Sequence, residues 1–264
     1  MDEYRDRVTL VSQANTGVAG ARNQGIASTV GEFVAFLDQD DWWHPEKIAR
    51  QIQVFEQSPS VGLTHTSVVH IDSKSGNEVE PLDPTAKPHE MVGDCSRKLL
   101  LGNPIYNSSV MVRRTVLDDV GHCNARIAGN TVADYDLWLR IAKRYPFAFI
   151  AEPLTFYRMH PHQGMLDRRA MLTAELGVLM NFQDEASWLK DRECRVRLAT
   201  LYDSLAVAWY DSGDPRKARA YFADSLRIAK SKRSFVRWAA SFLPIFLVNR
   251  LRHIEPLENA IVRD

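Results

Sequence analysis

An apolar run that ends in a cluster of carboxylates constrains this chain more than any other feature. In Gly31-Glu32-Phe33-Val34-Ala35-Phe36-Leu37-Asp38-Gln39-Asp40-Asp41, the residues Phe33, Val34 and Phe36 follow a glycine and read as a buried strand over 32–37. Open α/β sheets bind ligands beyond the carboxyl ends of their strands, which is where Asp38, Asp40 and Asp41 fall. Adjacent carboxylates repel each other unless a cation lies between them. A hard divalent cation shared with phosphate oxygens is the usual solution, so the cluster points to a metal-diphosphate site. The plainer alternative is a turn, with Asp41 capping the helix that Pro45 opens.

Around this strand the pattern alternates. Val8 to Val11 reads as a strand, and Val18 to Ala27 as a helix capped by Asn15 or Thr16. Pro45 starts a helix to about Gln57 with Ile48, Ile52 and Phe55 on one face. Strands are expected over 61–71, 109–112 and 147–150, and helices over 114–120 and 134–144. Residues 72–88 read as a polar, proline-rich surface loop. This alternation predicts an α/β domain. Hydrophobic residues make up 45% of the chain, which supplies a sizeable core and excludes global disorder. Lys plus Arg (33) balances Asp plus Glu (33), so no global charge points to nucleic acid. Cys95, Cys123 and Cys194 are widely spaced, which argues against a zinc site or disulfide framework and fits a reducing cytosol. The opening residues are charged and show no signal-peptide pattern.

Four blocks stand in a fixed order: Asn15-Thr16-Gly17-Val18-Ala19-Gly20-Ala21-Arg22-Asn23-Gln24-Gly25, the carboxylate strand, Ala133-Asp134-Tyr135-Asp136-Leu137-Trp138-Leu139-Arg140, and Glu152-Pro153-Leu154 followed by Tyr157-Arg158-Met159-His160. Each is modest alone, but the ordered set over residues 6–162 resembles the inverting family 2 glycosyltransferases of the GT-A fold. The resemblance implies a GT-A-like nucleotide-sugar-binding domain over residues 1–165. It also implies transfer of a sugar, with inversion, from a nucleotide-sugar donor to a glycan or lipid-linked acceptor, dependent on Mn2+ or Mg2+. In that family a strand, a helix and a second strand precede the first block and bind the base and ribose. Here the chain begins after them, so the domain reads as N-terminally truncated, with unpaired sheet edges expected.

Inverting transfer needs a cation to neutralise the leaving diphosphate, a base for the acceptor hydroxyl, and groups that orient the donor. By resemblance, Arg22, Asn23, Asp38 and Asp40 bind the donor, and Asp40, Asp41 and His160 hold the metal. Arg158 screens phosphate charge. Asp134 is the candidate base, with helix capping as its alternative role. Ala133 stands where the family has a glutamate, a departure that predicts a less strongly raised Asp134 pKa. Asp136 is the second candidate base. With Trp42 and Trp43 it is also assigned to the acceptor side, while Trp138 and Arg140 are expected to supply packing and a buried ion pair.

Residues 166–264 read as a helical extension. Ala206, Trp209, Tyr210, Gly213-Asp214, Ala218, Tyr221 and Phe222 resemble one tetratricopeptide hairpin, too little for a solenoid. Residues 213–252 contain ten Lys or Arg and two Asp. Within them the apolar stretch 238–248 is too short to span a bilayer. Two readings stand: peripheral membrane contact through residues 235–252, or a core helix with solvated arginines. The resemblance and the basic tail imply a cytoplasmic protein at the inner face of the cell membrane. Two other functions compete: a catalytically inactive fragment or interaction module of the same family, and a haloacid-dehalogenase-type phosphatase. The phosphatase needs a Gly-Thr-like turn after its second aspartate, and Asp41-Trp42-Trp43 stands there instead.

Overall fold

The computed structural model describes residues 7–81, 83–127, 132–160, 168–182 and 190–243. The chain forms two compact units, Met1–Leu166 and Asp167–Asp264. The first contains α1 (Gly17–Ala27), β1 (Phe33–Ala35), β2 (Trp42–Trp43), α2 (Lys47–Gln57), β3 (Leu63–Asp72), β4 (Glu78–Val79), α3 (Ser96–Leu101), β5 (Met111–Arg113), α4 (Arg114–Val120), α5 (Ala133–Ala142) and β6 (Phe147–Met159). Among the described residues these strands make one mixed sheet of order β1-β5-β3-β6-β2, with β4 added to β3. β3 and β6 run parallel at its centre, from Leu63↔Phe147 to Asp72↔Met159, with register shifts around Ser67. The remaining pairs are antiparallel.

The β1–β5 register positions the site. Ala35 lies opposite Met111, so the same register carried three residues further sets Asp38 opposite Ser108. The chain leaves β1 through Phe36, whose amide donates to the Val110 carbonyl, and turns at Asp38–Asp41, where the Asp41 amide donates to the Asp38 carbonyl. Opposite, residues 107–109 form a single 3-10 turn before β5. Helix α5 packs beneath, with its buried Trp138 edge-on to Phe36 at 5.7 Å. That contact ties the helix carrying Asp134 to the strand that leads to Asp38.

Several expected elements differ. Val8 to Val11 is not a strand: it has no ladder partner among the described residues, and Leu10 is 79% exposed. A strand without a neighbour leaves its backbone groups to water. The strand expected over 32–37 is ordered as a ladder only over Phe33–Ala35, and Ser109 belongs to the 3-10 turn. The last strand continues past Ile150 to Met159, because β3 offers it a partner along that length. Within it, Phe156 and Thr155 pair with Trp42 and Trp43, a two-residue strand too short to show a period. Helix α2 buries Lys47, Gln51 and Phe55 and leaves Ile48 exposed, because hydrogen bonds inside the unit hold Lys47 and Gln51.

The second unit contains α6 (Arg168–Asn181), α7 (Arg192–Asp211), α8 (Pro215–Ile228) and α9 (Lys232–Ala240). Asp191 caps α7 by accepting from the amides of Glu193 and Cys194, and Asp214 caps α8 by accepting from Lys217. Between α7 and α8 the chain turns at Gly213, whose φ of 86° favours glycine. Ala206, Tyr210, Ala218 and Phe222 make the buried seam of this hairpin. Of the tail assigned to membrane contact, residues 244–252 lie outside the described residues.

Candidate active site

The three aspartates face different ways, and Ser108 separates them. Its hydroxyl accepts from the Asp38 amide at 3.0 Å and donates to Asp41 Oδ2 at 2.5 Å. Asp41 Oδ1 accepts from the Arg158 amide at 3.0 Å, so Asp41 is buried with both oxygens held by the protein. Burial pushes its carboxyl up to about 6, against the hydrogen bonds from Ser108 and Arg158, with the charges of Asp40 and Asp38 adding to the rise. Asp41 therefore fastens the turn between β1 and β2 to the end of β6.

Asp40 takes a different partner and is less buried. Its Oδ2 lies 2.8 Å from His160 Nε2, joining the carboxylate turn to the residue after β6, and both side chains are partly exposed. Asp38 Oδ1 accepts from Arg22 Nη2 at 3.0 Å and from Asn107 Nδ2 at 2.9 Å. Arg22 in turn lies in the field of Asp134. Burial opposes its charge, but Asp134 and Asp38 more than offset that, and the guanidinium pKa is raised. Asp134 is itself raised by burial, against the opposing charge of Arg22 and the Tyr135 amide, and Asp38 adds to the rise. Arg22 thus links the carboxylate of Asp38 to that of Asp134.

Asp134 stands in the first turn of α5. Val132 occupies the cap position and makes no side-chain cap bond, while Asp134 Oδ1 accepts from the Tyr135 amide at 2.9 Å within the first turn. Asn23 binds the Cys123 backbone through both amide atoms, each at 2.9 Å, which pins α1 to the segment after α4. Asp136 is buried and accepts from Arg140 Nε at 2.9 Å, while the other guanidinium nitrogens of Arg140 bond carbonyls of residues 120–122. Trp42 stacks on Phe156 at 5.4 Å with the Arg158 guanidinium over its ring. Trp43 Nε1 donates to the Ser108 carbonyl at 2.7 Å.

The supports of the site carry no sequence signal of their own. Gln51 Nε2 donates to the Ser109 carbonyl and to Thr64 Oγ1, and its Oε1 accepts from the fully buried Lys47 Nζ at 2.7 Å. Lys47 thereby fixes which end of the Gln51 amide faces the 107–109 turn, and so holds Ser108 in place. The polar triplet Asn107-Ser108-Ser109 was visible in sequence. The antiparallel register that brings it opposite Asp38 was not.

Among the described residues no group of three or more His, Cys, Asp or Glu is arranged to hold a metal. Asp40 and His160 nevertheless converge from two elements on one partly exposed point. Of the two, the Asp40 carboxylate is the oxygen ligand that Mg2+ or Mn2+ would take, and such ions complete their shell with water and phosphate oxygens.

Residues 1–121 match the family model described as Glycosyl transferase family 2. An uncharacterized glycosyltransferase, alr2836, of Nostoc sp. is 30% identical over 169 residues, covering 60% of this chain and 49% of that protein. The amylovoran biosynthesis glycosyltransferase AmsB of Erwinia amylovora is 31% identical over 157 residues, covering 57% of this chain and 50% of that protein. The chain thus spans about half the length of these relatives. The crystal structure of S. aureus TarS matches with a TM-score of 0.56 at 12% identity, covering 88% of this chain and 41% of that one. The mixed α/β sheet is structurally similar to that of GT-A glycosyltransferases, and the C-terminal region is helical.

Proposed function

We propose that the N-terminal unit, whose residues 1–121 match the glycosyltransferase family 2 model, binds a nucleotide-sugar donor at Asp38 and Asp40 and transfers its sugar with inversion to a glycan or lipid-linked hydroxyl. The observation that carries this reading is the divergence of the cluster. Asp41 is turned inward to fasten the turn, which leaves Asp40 beside His160 on the accessible side and Asp38 joined through Arg22 to Asp134.

Asp40 and His160 are the residues to hold Mg2+ or Mn2+, which when bound would supply positive charge to a leaving diphosphate. Arg22 positions Asp38 and sets the charge around Asp134. Asp134, raised by burial, takes the proton from the acceptor hydroxyl. Arg158, held at the metal side by its amide bond to Asp41, screens phosphate charge. Asn23, Asp136, Trp42 and Trp43 serve this arrangement by packing and pinning its walls. A lipid-linked acceptor would place the reaction in the cytoplasm at the inner face of the cell membrane.

Thermal unfolding with Mn2+ and a panel of nucleoside diphosphates tests the reading. One diphosphate at roughly a hundredfold excess over its Kd should stabilise the chain by about 2.7 kcal/mol, and Asp40→Asn should abolish that shift. No shift with any diphosphate would assign the chain instead to the catalytically inactive or interaction class.

A further inference from the structure

We propose that the outward face of α9 is a docking surface for an anionic lipid membrane. This deepens the membrane-face placement of the acceptor proposed above, and its structural support is α9 itself. Phe235 and Phe242 are 55% and 60% exposed, and Val236 and Leu243 are 40% and 43% exposed. With exposed Ala239 they fall at helical spacing on one stripe of α9 and the turn that continues it. The inward positions hold Ser234 and Ser241, at 6% and 2% exposure. Trp238 and Ala240 pack on the buried seam of the unit, yet a second apolar stripe of the same helix is left facing out, which water alone does not favour.

The aromatic rings are arranged along that stripe. Trp238, packed against the buried seam of the α7–α8 hairpin, contacts Phe235 at 5.9 Å and Phe242 at 5.3 Å. The two exposed phenyl rings are thus braced by a residue anchored in the second unit.

Charge selects the occupant. Lys232 and Arg233 occupy the first turn of α9, and Lys230 precedes its cap Ser231. Cations at a helix N-terminus oppose the helix dipole, so their placement is a second local cost beside the exposed stripe. No acidic residue stands between Asp224 and Glu255. A second copy of this face would bring no carboxylate to these cations. Lipid phosphates above an apolar interior meet both features together. Among the described residues no helix is long and apolar enough to cross a membrane, so the contact proposed is peripheral.

Co-sedimentation of the full chain with vesicles tests this. The chain should sediment with vesicles containing roughly a third phosphatidylglycerol, poorly with phosphatidylcholine alone, and less as salt rises. Phe235→Ser with Phe242→Ser should weaken binding on the order of tenfold or more. Lys230→Glu with Lys232→Glu should remove the preference for anionic vesicles. If circular dichroism shows that the phenylalanine variant has lost helix, the lysine variant, which changes only exposed side chains, decides. Asp40→Asn should leave vesicle binding intact, and both α9 variants should keep the nucleoside diphosphate shift, so this proposal and the donor-site reading fail separately. Equal sedimentation of wild type and variants, or none with anionic vesicles, would overturn the proposal. So would a phenylalanine-dependent dimer in gel filtration without vesicle binding.

Discussion

Replacing Lys47 by methionine should make the protein more stable at neutral pH, and the gain should shrink as pH rises. Lys47 is fully buried, with its Nζ on Gln51 Oε1 and 4.3 Å from the Trp43 ring centroid. Burial pushes its ammonium down to about 7 from 10.5. The folded state therefore binds fewer protons than the unfolded chain between those values, and wild-type stability rises with pH across that window. At pH 7 this difference costs the fold about 4 kcal/mol, and near pH 9.5 only about 1.4 kcal/mol. Methionine removes that cost but leaves Gln51 Oε1 without its donor, a loss of about 1–3 kcal/mol that does not depend on pH. The expected net gain at pH 7 is about 1–3 kcal/mol, and the wild-type-to-variant gap should move by about 3 kcal/mol between the two pH values. Urea unfolding of both proteins at each pH measures this directly. Parallel stability–pH curves would refute the assignment of Lys47 as a buried amine carried at a cost.

Two further substitutions separate support from chemistry. Ser108→Ala removes the donor to Asp41 and the acceptor of the Asp38 amide, and should cost about 2–3 kcal/mol in urea unfolding while weakening the nucleoside diphosphate shift. Asp134→Asn should leave that shift in place and lower kcat by a factor on the order of 100 to 10,000 in a sugar-transfer assay. Retained turnover would remove Asp134 as the base.

The carboxylate strand, α4 and most helix positions could be read directly from the sequence, because each is a local pattern: an apolar run, a period of 3.6, a proline or glycine at a boundary. The candidate residues could be named from sequence as a set, but their arrangement could not. Asp38, Asp40 and Asp41 look alike in sequence, yet Ser108 and the Arg158 amide turn one of them inward. Periodicity gave α2 an apolar face of Ile48, Ile52 and Phe55. The folded helix instead buries Lys47 and Gln51, since a polar pair with partners can occupy a core position that no hydropathy pattern marks. The Trp42–Trp43 strand exists only because β6 extends far enough to pair with it.

Distance along the chain gives the cluster a kinetic character. Asp38 meets Ser108 across 70 residues, Asp41 meets the Arg158 amide across 117, and Asp40 meets His160 across 120. Contacts of such separation close late in folding, after the loop entropy between them has been spent. A nascent chain that has emerged only as far as β5 carries all three aspartates and neither of the β6-end groups that orient them. The carboxylate turn can acquire its final shape only once His160 has been made and β6 has docked beside β3, so the proposed donor site should take shape late in the folding of this unit rather than grow with it.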